Sequence, residues 1–334
     1  MKAMLAETNA PIDRNPLILA DVADPHPAAG EVRVSVRCCA VCRTDLHVIE
    51  GDLPREKMPV IPGHQIVGVV DEIGADCSIL AEGQRVGIAW LRHACGTCPA
   101  CLAGRENLCR ETRFTGYHTD GGYAEYAVVP EAFAYPLPEA FTDIEAAPLL
   151  CAGIIGYRSL RRADLPEGGR LGLYGFGSSA HVVLQIARAR GSEIYVVTRG
   201  REHRDLAREM GAAWVGTDAA EMPVKMDSAI LFAPAGELIP PALEALERGG
   251  TLSLAGIYMT RTPPLDYERH LFYERNLRSV TCNTREDGRD LLGEAAGIPV
   301  RPRVTTYPLT DANRALNDLK ADRICGTGVL IMDS

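Results

Sequence analysis

The stretch RLGLYGFGSSAHVVLQIARARGSEIYVVTR, residues 170–199, decides the fold. It opens as a short apolar run, passes through G-x-G-x-x-A at Gly175, Phe176, Gly177, Ser178, Ser179 and Ala180, and takes on helical periodicity up to Gly191. It closes as a second apolar run. A strand that runs into glycines and then a helix is the context in which this motif binds a dinucleotide. Gly175 permits the tight turn, Gly177 lets a pyrophosphate approach the helix N-terminus, and Ala180 still lets helix and strand pack. An NAD site places an acid at the end of the second strand, on the ribose hydroxyls. Here Thr198 takes that place, followed by Arg199, Gly200 and Arg201. Losing the carboxylate removes repulsion against a 2′-phosphate, and guanidinium groups offer it bidentate partners. NADP(H) is therefore the favoured cofactor, with NAD(H) as the alternative.

Beyond this stretch the alternation continues. A helix is expected over 203–212, a strand over 227–234, a helix over 240–250 and a strand over 251–256. Such repetition predicts a parallel sheet with helices on both faces, a doubly wound α/β domain. The first 150 residues differ. EVRVSVR (31–37), IVGVVDEIG (66–74) and EYAVVP (125–130) read as strands between Gly and Pro punctuation, as in a barrel-like β domain. Beyond about residue 288 a short helix, VRPRVTTYPL, a helix over 312–320 and the strand GTGVLIM are expected to return to that β domain. The expected division is 1–152 with 288–334 for the β domain and 153–287 for the dinucleotide domain.

A length of 334 residues suits two domains, and 46% hydrophobic with 24% charged residues is ordinary for a globular chain. The net charge of −9, with no Lys/Arg-rich block, argues against a nucleic-acid binder. No apolar run approaches membrane-spanning length and no secretory apolar core opens the chain, so a cytoplasmic protein is expected. In a reducing compartment, 11 cysteines at short spacings read as metal ligands more readily than as disulfides. Cys95, Cys98, Cys101 and Cys109 crowd into one short segment. Four thiolates can close a tetrahedral zinc shell, which leaves no open position and is therefore structural. An iron–sulfur cluster is the alternative on spacing alone. Cys42, His64 and Cys151 stand apart, each weak evidence by itself.

Their neighbours carry more. VCRTDLH (41–47), IPGHQIVGVV (61–70), WLRHACGTC (90–98), GYHTDGGYAEY (116–126), CAG (151–153) and GFGSSA (175–180), in this order, resemble the zinc-dependent medium-chain alcohol dehydrogenases over essentially the whole chain. The segment CRTDLHVIEGDLP looks most like the tetrameric yeast and bacterial branch. The resemblance implies a GroES-like catalytic domain with a Rossmann cofactor domain, two zinc ions per chain, and interconversion of alcohols and aldehydes with a nicotinamide cofactor. It assigns Cys42, His64 and Cys151 to a catalytic zinc whose fourth position takes the substrate oxygen, zinc acting as Lewis acid. It decides the cysteine segment for zinc. Thr44 matches the hydroxyl of a proton relay and His47 its solvent-side acceptor. Asp45 matches a carboxylate that orients His64, and Arg43 a cofactor pyrophosphate contact. Ile49, Trp90 and Tyr117 fall on pocket positions, and a tryptophan wall favours small or slim primary alcohols. Gln65 stands where the family usually has glutamate, and Ile155 where it often has threonine. Assembly as a homotetramer or homodimer is implied, with 251–260 and 276–282 as candidate edge strands. Two other readings stay open: a reductase of broader or aromatic aldehydes, and a non-catalytic zinc and nucleotide binder.

Overall fold

The computed structural model describes residues 1–298 and 300–332. It divides into two compact units, Met1–Cys151 with Cys282–Ala296 and Pro302–Ser334, and Ala152–Thr281 with Gly297–Arg301. The chain opens with β1 (Lys2–Ala6), β2 (Leu17–Asp21), β3 (Glu31–Ala40), α1 (Arg43–Glu50), β4 (Gln65–Ile73), β5 (Arg85–Ile88), β6 (Leu91–His93) and α2 (Pro99–Leu102). β7 (Arg113–Phe114), β8 (Tyr126–Pro130), β9 (Ala134–Pro136) and α3 (Asp143–Pro148) follow. The second unit supplies α4 (Ile154–Ala163), β10 (Arg170–Tyr174), α5 (Ser178–Ala189), β11 (Glu193–Val197), α6 (Arg201–Glu209), β12 (Trp214–Gly216) and β13 (Met226–Leu231). It continues through α7 (Ile239–Glu244), β14 (Leu246–Leu254), α8 (Tyr267–His270) and β15 (Asn276–Ser279). α9 (Arg285–Gly297), β16 (Val304–Pro308), α10 (Ala312–Lys320) and β17 (Thr327–Ile331) complete it.

The first unit is built on a sheet of order β16-β17-β3-β4-β5-β9, with β8 also paired to β3. The alternation of EVRVSVR turns Val32, Val34 and Val36 into the core. Register shifts between Arg33 and Val34 and between Val36 and Cys38 mark irregularities where β3 pairs with β4, of the kind that bends a sheet. β17 pairs antiparallel with β3, Val329 opposite Ala40, so residues from near the end of the sequence flank the strand that leads into Cys42.

The second unit is a six-stranded sheet of order β12-β11-β10-β13-β14-β15, parallel throughout. Strand order reverses at β10, the arrangement of a doubly wound sheet. Leu171, Leu173, Tyr174, Val196 and Ile230 are buried, as strands covered on both faces require.

Three expectations need correction. The helix expected over 240–250 ends at Glu244, and Leu246–Gly250 belong to β14. Its pairing skips from Met226↔Leu246 to Ser228↔Thr251, with Gly249 at φ +77°, so a bulge interrupts a stretch whose composition looks helical. Residues 255–260 continue no strand. The helix expected beyond 288 starts at Arg285 and is 13 residues long, because Thr284 and Asp287 form a reciprocal cap at its start. No helix among the described residues is long and apolar enough to cross a membrane.

Candidate active site and metal centres

Cys42 sits in extended backbone immediately before α1, and its N–H donates to Asp45 Oδ2 at 2.8 Å. That reciprocal cap starts the helix and holds Cys42 Sγ 3.5 Å from Thr44 N and 3.6 Å from Thr44 Oγ1. The same carboxylate reaches a second predicted ligand. Asp45 Oδ1 lies 2.8 Å from His64 Nδ1, with both side chains buried. Tyr123 donates its hydroxyl to Asp45 Oδ2 at 2.9 Å. Gly63, at φ +95°, delivers His64, and a Cβ there would stand 2.3 Å from the Tyr123 ring. Cys151 comes from elsewhere, on a π-type turn Leu149–Gly153 that widens the helical path after Pro148.

The donor atoms of Cys42, His64 and Cys151 all lie within 4.8 Å of one another. His64 Nε2 is buried and meets no hydrogen-bond partner among the described residues. Burial alone would lower the His64 pKa, yet Asp45 and Cys42 outweigh it and raise it to about 10. The Cys42 thiol is drawn well below its usual range, first by the Cys151 thiol beside it, and Cys151 is pushed up in return. A buried imidazole nitrogen without a partner, two thiols and an anionic surround form an N/S set that fits zinc.

Around this set, Thr44 is 6% exposed and His47 lies one helical turn further on, its Nδ1 2.8 Å from Asp52 Oδ2. Arg43 opens α1 and is exposed, 3.8 Å from Asp322. The Trp90 ring meets the His64 ring edge-on at 4.8 Å. It also stacks on Phe114 at 4.9 Å and on Tyr117 at 5.8 Å. Tyr117 is pinned by its hydroxyl, which donates to Pro54 O at 2.6 Å. Ile49 is fully enclosed in the apolar cluster of this unit. Gln65 is buried and donates to Ala40 O at 3.3 Å. Sequence reasoning missed Asp52, Phe114 and Tyr123, whose roles arise from contacts with no fixed sequence spacing.

The cysteine segment forms a second set. Cys95, Cys98, Cys101 and Cys109 bring their sulfurs within 4.8 Å of one another, and all are free thiols. Cys95 Sγ lies 3.5 Å from Cys109 Sγ and 4.0 Å from Cys101 Sγ. A tetrahedron with zinc–sulfur bonds of about 2.3 Å has edges of about 3.8 Å, so these separations suit a closed shell. Backbone N–H groups of Cys98, Cys95 and Glu111 donate to these sulfurs. The Cys95 thiol is pulled down to about 6, first by the backbone at Thr97 and Cys98. Glu106, within this lobe, accepts from the backbone N–H of Arg285 at 2.6 Å and binds its guanidinium through both oxygens, the shortest contact 2.7 Å.

In the second unit, Gly175 sits at φ +87°, and a Cβ there would come 3.1 Å from Ala233 N. Phe176 is buried, Gly177 precedes α5, and Ser178 and Ser179 form its first turn. A Cβ on Gly177 would meet nothing within 4 Å, which leaves room for a ligand at the helix N-terminus. Thr198 is 9% exposed, Arg199 is exposed, and Arg201 opens α6 with its guanidinium 3.7 Å from Asp205. Arg204, which sequence reasoning did not single out, donates to the carbonyls of Thr198 and Arg199 and braces the turn.

Residues 28–139 match the family model of the alcohol dehydrogenase GroES-like domain, and 180–296 that of the zinc-binding dehydrogenase. The chain is 53% identical to the probable alcohol dehydrogenase AdhA of Mycobacterium tuberculosis, over 99% of this chain and 97% of that one. It is 35% identical to an alcohol dehydrogenase of Geobacillus stearothermophilus, over 94% and 95% of the two chains. Among solved structures, a cobalt- and zinc-bound thermostable alcohol dehydrogenase from Pyrobaculum aerophilum superposes with a TM-score of 0.90 at 27% identity, covering 99% of each chain.

Proposed function

Because this chain belongs to the zinc-dependent medium-chain alcohol dehydrogenases, an oxidoreductase family acting on alcohols and aldehydes, we propose that Cys42, His64 and Cys151 hold its catalytic zinc and that Cys95, Cys98, Cys101 and Cys109 hold a structural one. The observation that carries this is the buried Nε2 of His64, which has no hydrogen-bond partner among the described residues and is grouped with two free thiols. When bound, zinc supplies a Lewis acid for the substrate oxygen and the nicotinamide accepts or gives hydride. The chain's own residues handle the proton and the fit. Asp45 fixes the His64 ring and its tautomer. Thr44 can accept the alcohol proton and hand one on, since a hydroxyl both accepts and donates. His47, paired with Asp52, receives it, and that pairing orients the imidazole. Trp90, backed by Phe114 and Tyr117, narrows the space beside His64 and favours slim primary alcohols.

Thr198, Arg199 and Arg201, with the turn braced by Arg204, support NADP(H) over NAD(H). That preference tilts the balance toward aldehyde reduction. β15, the edge of the cofactor-unit sheet, together with exposed Tyr267, Phe272 and Leu277, supports assembly of copies through that unit as a homodimer or homotetramer. The deciding experiment measures zinc content and steady-state rates for a panel of alcohols and aldehydes with each cofactor. Two zincs per chain and higher kcat/KM with NADP(H) are expected. A clear advantage for NAD(H) removes the cofactor assignment, and activity retained in metal-free protein removes the zinc assignment.

A further inference from the structure

Tyr123 grips the His64 site in three ways. Its side chain is fully buried, and its hydroxyl donates to Asp45 Oδ2 at 2.9 Å. Its ring fills the space against Gly63, where a Cβ would sit 2.3 Å away, so the residue before His64 must be glycine. Its backbone N–H donates to Pro62 O at 3.0 Å, and the neighbouring Gly122 N–H donates to Gly63 O at 3.0 Å. Loop 61–64 is thus tied to residues 122–123 from both sides. Asp45 in turn accepts from the Cys42 N–H, faces His64 Nδ1 and accepts from Tyr123. The carboxylate is 1% exposed, so water does not replace a lost donor there. Buried polar groups of this kind are costly when left unsatisfied.

We propose that Tyr123 is a positioning residue of the metal site, holding the Asp45 carboxylate in the one orientation that presents both Cys42 and His64. The proposal rests on the reading of Cys42, His64 and Cys151 as zinc ligands. Tyr123 acts through Asp45, to which its hydroxyl donates. Removing its hydroxyl takes away one of the two donors to Asp45 Oδ2, weakens the hold on the carboxylate and on the tie between α1 and loop 61–64, and lets the metal leave faster. A ring that only fills space predicts no such change, because Tyr123→Phe keeps the ring on Gly63.

The test is zinc release from purified holoenzyme to an excess of chelator with a colorimetric readout, comparing wild type, Tyr123→Phe, Asp45→Asn and the double variant. The cysteine lobe, whose ligands Tyr123 does not touch, serves as internal control. Loss of an outer hydrogen-bond partner costs about tenfold or more in metal affinity. Tyr123→Phe should therefore release the His64-site zinc about tenfold faster and the lobe zinc at the wild-type rate. The double variant should release it no faster than Asp45→Asn alone. Cobalt substitution gives a second readout, since a changed visible spectrum in Tyr123→Phe reports altered ligand geometry without any turnover. Unchanged release and an unchanged cobalt spectrum in Tyr123→Phe overturn the proposal. So does full acceleration on top of Asp45→Asn, which would mean that Tyr123 does not act through Asp45. If His64→Ala lowers the zinc content by none, the metal reading itself is wrong. Metal that depends on His64 but ignores Tyr123 refutes the role of Tyr123 alone.

Discussion

The two thiol-bearing sites of the first unit are built in opposite ways. The lobe takes its four donors from one stretch, Cys95 to Cys109, and its own backbone N–H groups point at the sulfurs. Little apolar packing supports it; Leu102 is 76% exposed and Leu108 48%. The other site draws on the N-terminus of α1, the loop before β4 and the turn after α3; His64 is fully buried there and Cys42 and Cys151 are partly so. Its scaffold is made of protein contacts, from Asp45, Tyr123 and the β3 pairings. In the lobe a bound metal would make the fold, whereas in the His64 site the fold itself brings the donor atoms together. That contrast suits a structural and a catalytic role.

The contrast can be broken by unequal responses to mutation. His64→Ala should abolish turnover, a loss of at least about a thousandfold in kcat/KM, because several kcal/mol of charge stabilisation go with the metal. Its circular dichroism should stay close to wild type, and collapse of the fold would erase the distinction. Cys95→Ser should act in reverse, lowering the melting temperature by about 10 °C through loss of several kcal/mol of metal-linked folding energy, while the remaining zinc tracks residual activity. Glu106→Gln should cost about 2 kcal/mol in denaturant unfolding, since it leaves the part-buried Arg285 guanidinium short of charge compensation. Burial tends to raise the Glu106 pKa, but its bonds to Arg285 win and lower it. The contribution of this pair is therefore complete above the ordinary glutamate value of about 4.3 and vanishes as pH falls through the lower folded value. A pH titration of unfolding should lose this increment below that window in wild type and show none in Glu106→Gln. Trp90→Ala should have the smallest effect, shifting relative kcat/KM toward bulky or aromatic alcohols by about tenfold with little change in stability. An unchanged substrate profile would remove Trp90 from the pocket wall.

Local patterns were legible in the sequence. The cysteine lobe is visible because its ligands share one turn-rich segment. The cofactor motif is visible because strand, glycines and helix follow one another without interruption. The strands 31–37 and 66–74 show themselves through alternation that the sheet then buries. Misreadings arose where composition and geometry diverge. ALEALERGG looks helical, yet Leu246 already pairs with Met226 and a glycine bulge resets the register. The start of α9 is set by the cap spacing of Thr284 and Asp287, a polar flank that hydrophobic periodicity does not register. Partners such as Tyr123 for Asp45, Asp52 for His47 and Arg285 for Glu106 were out of reach, because tertiary contact alone decides them.

The pairing of β17 with β3 sets an order of events during synthesis. The α/β sheet, β10 to β15, is complete once residue 279 has left the ribosome, since all its strand pairings lie within Arg170–Ser279. The β unit begins first yet closes later: β8 flanks Glu31–Ser35 of β3, but Cys38–Ala40 lack their β17 partner until Thr327–Ile331 emerges. Until then the strand leading into Cys42 presents an open hydrogen-bonding edge, the kind of surface that nascent chains expose to misassembly. The strand that leads into Cys42 is thus among the last to be fully paired.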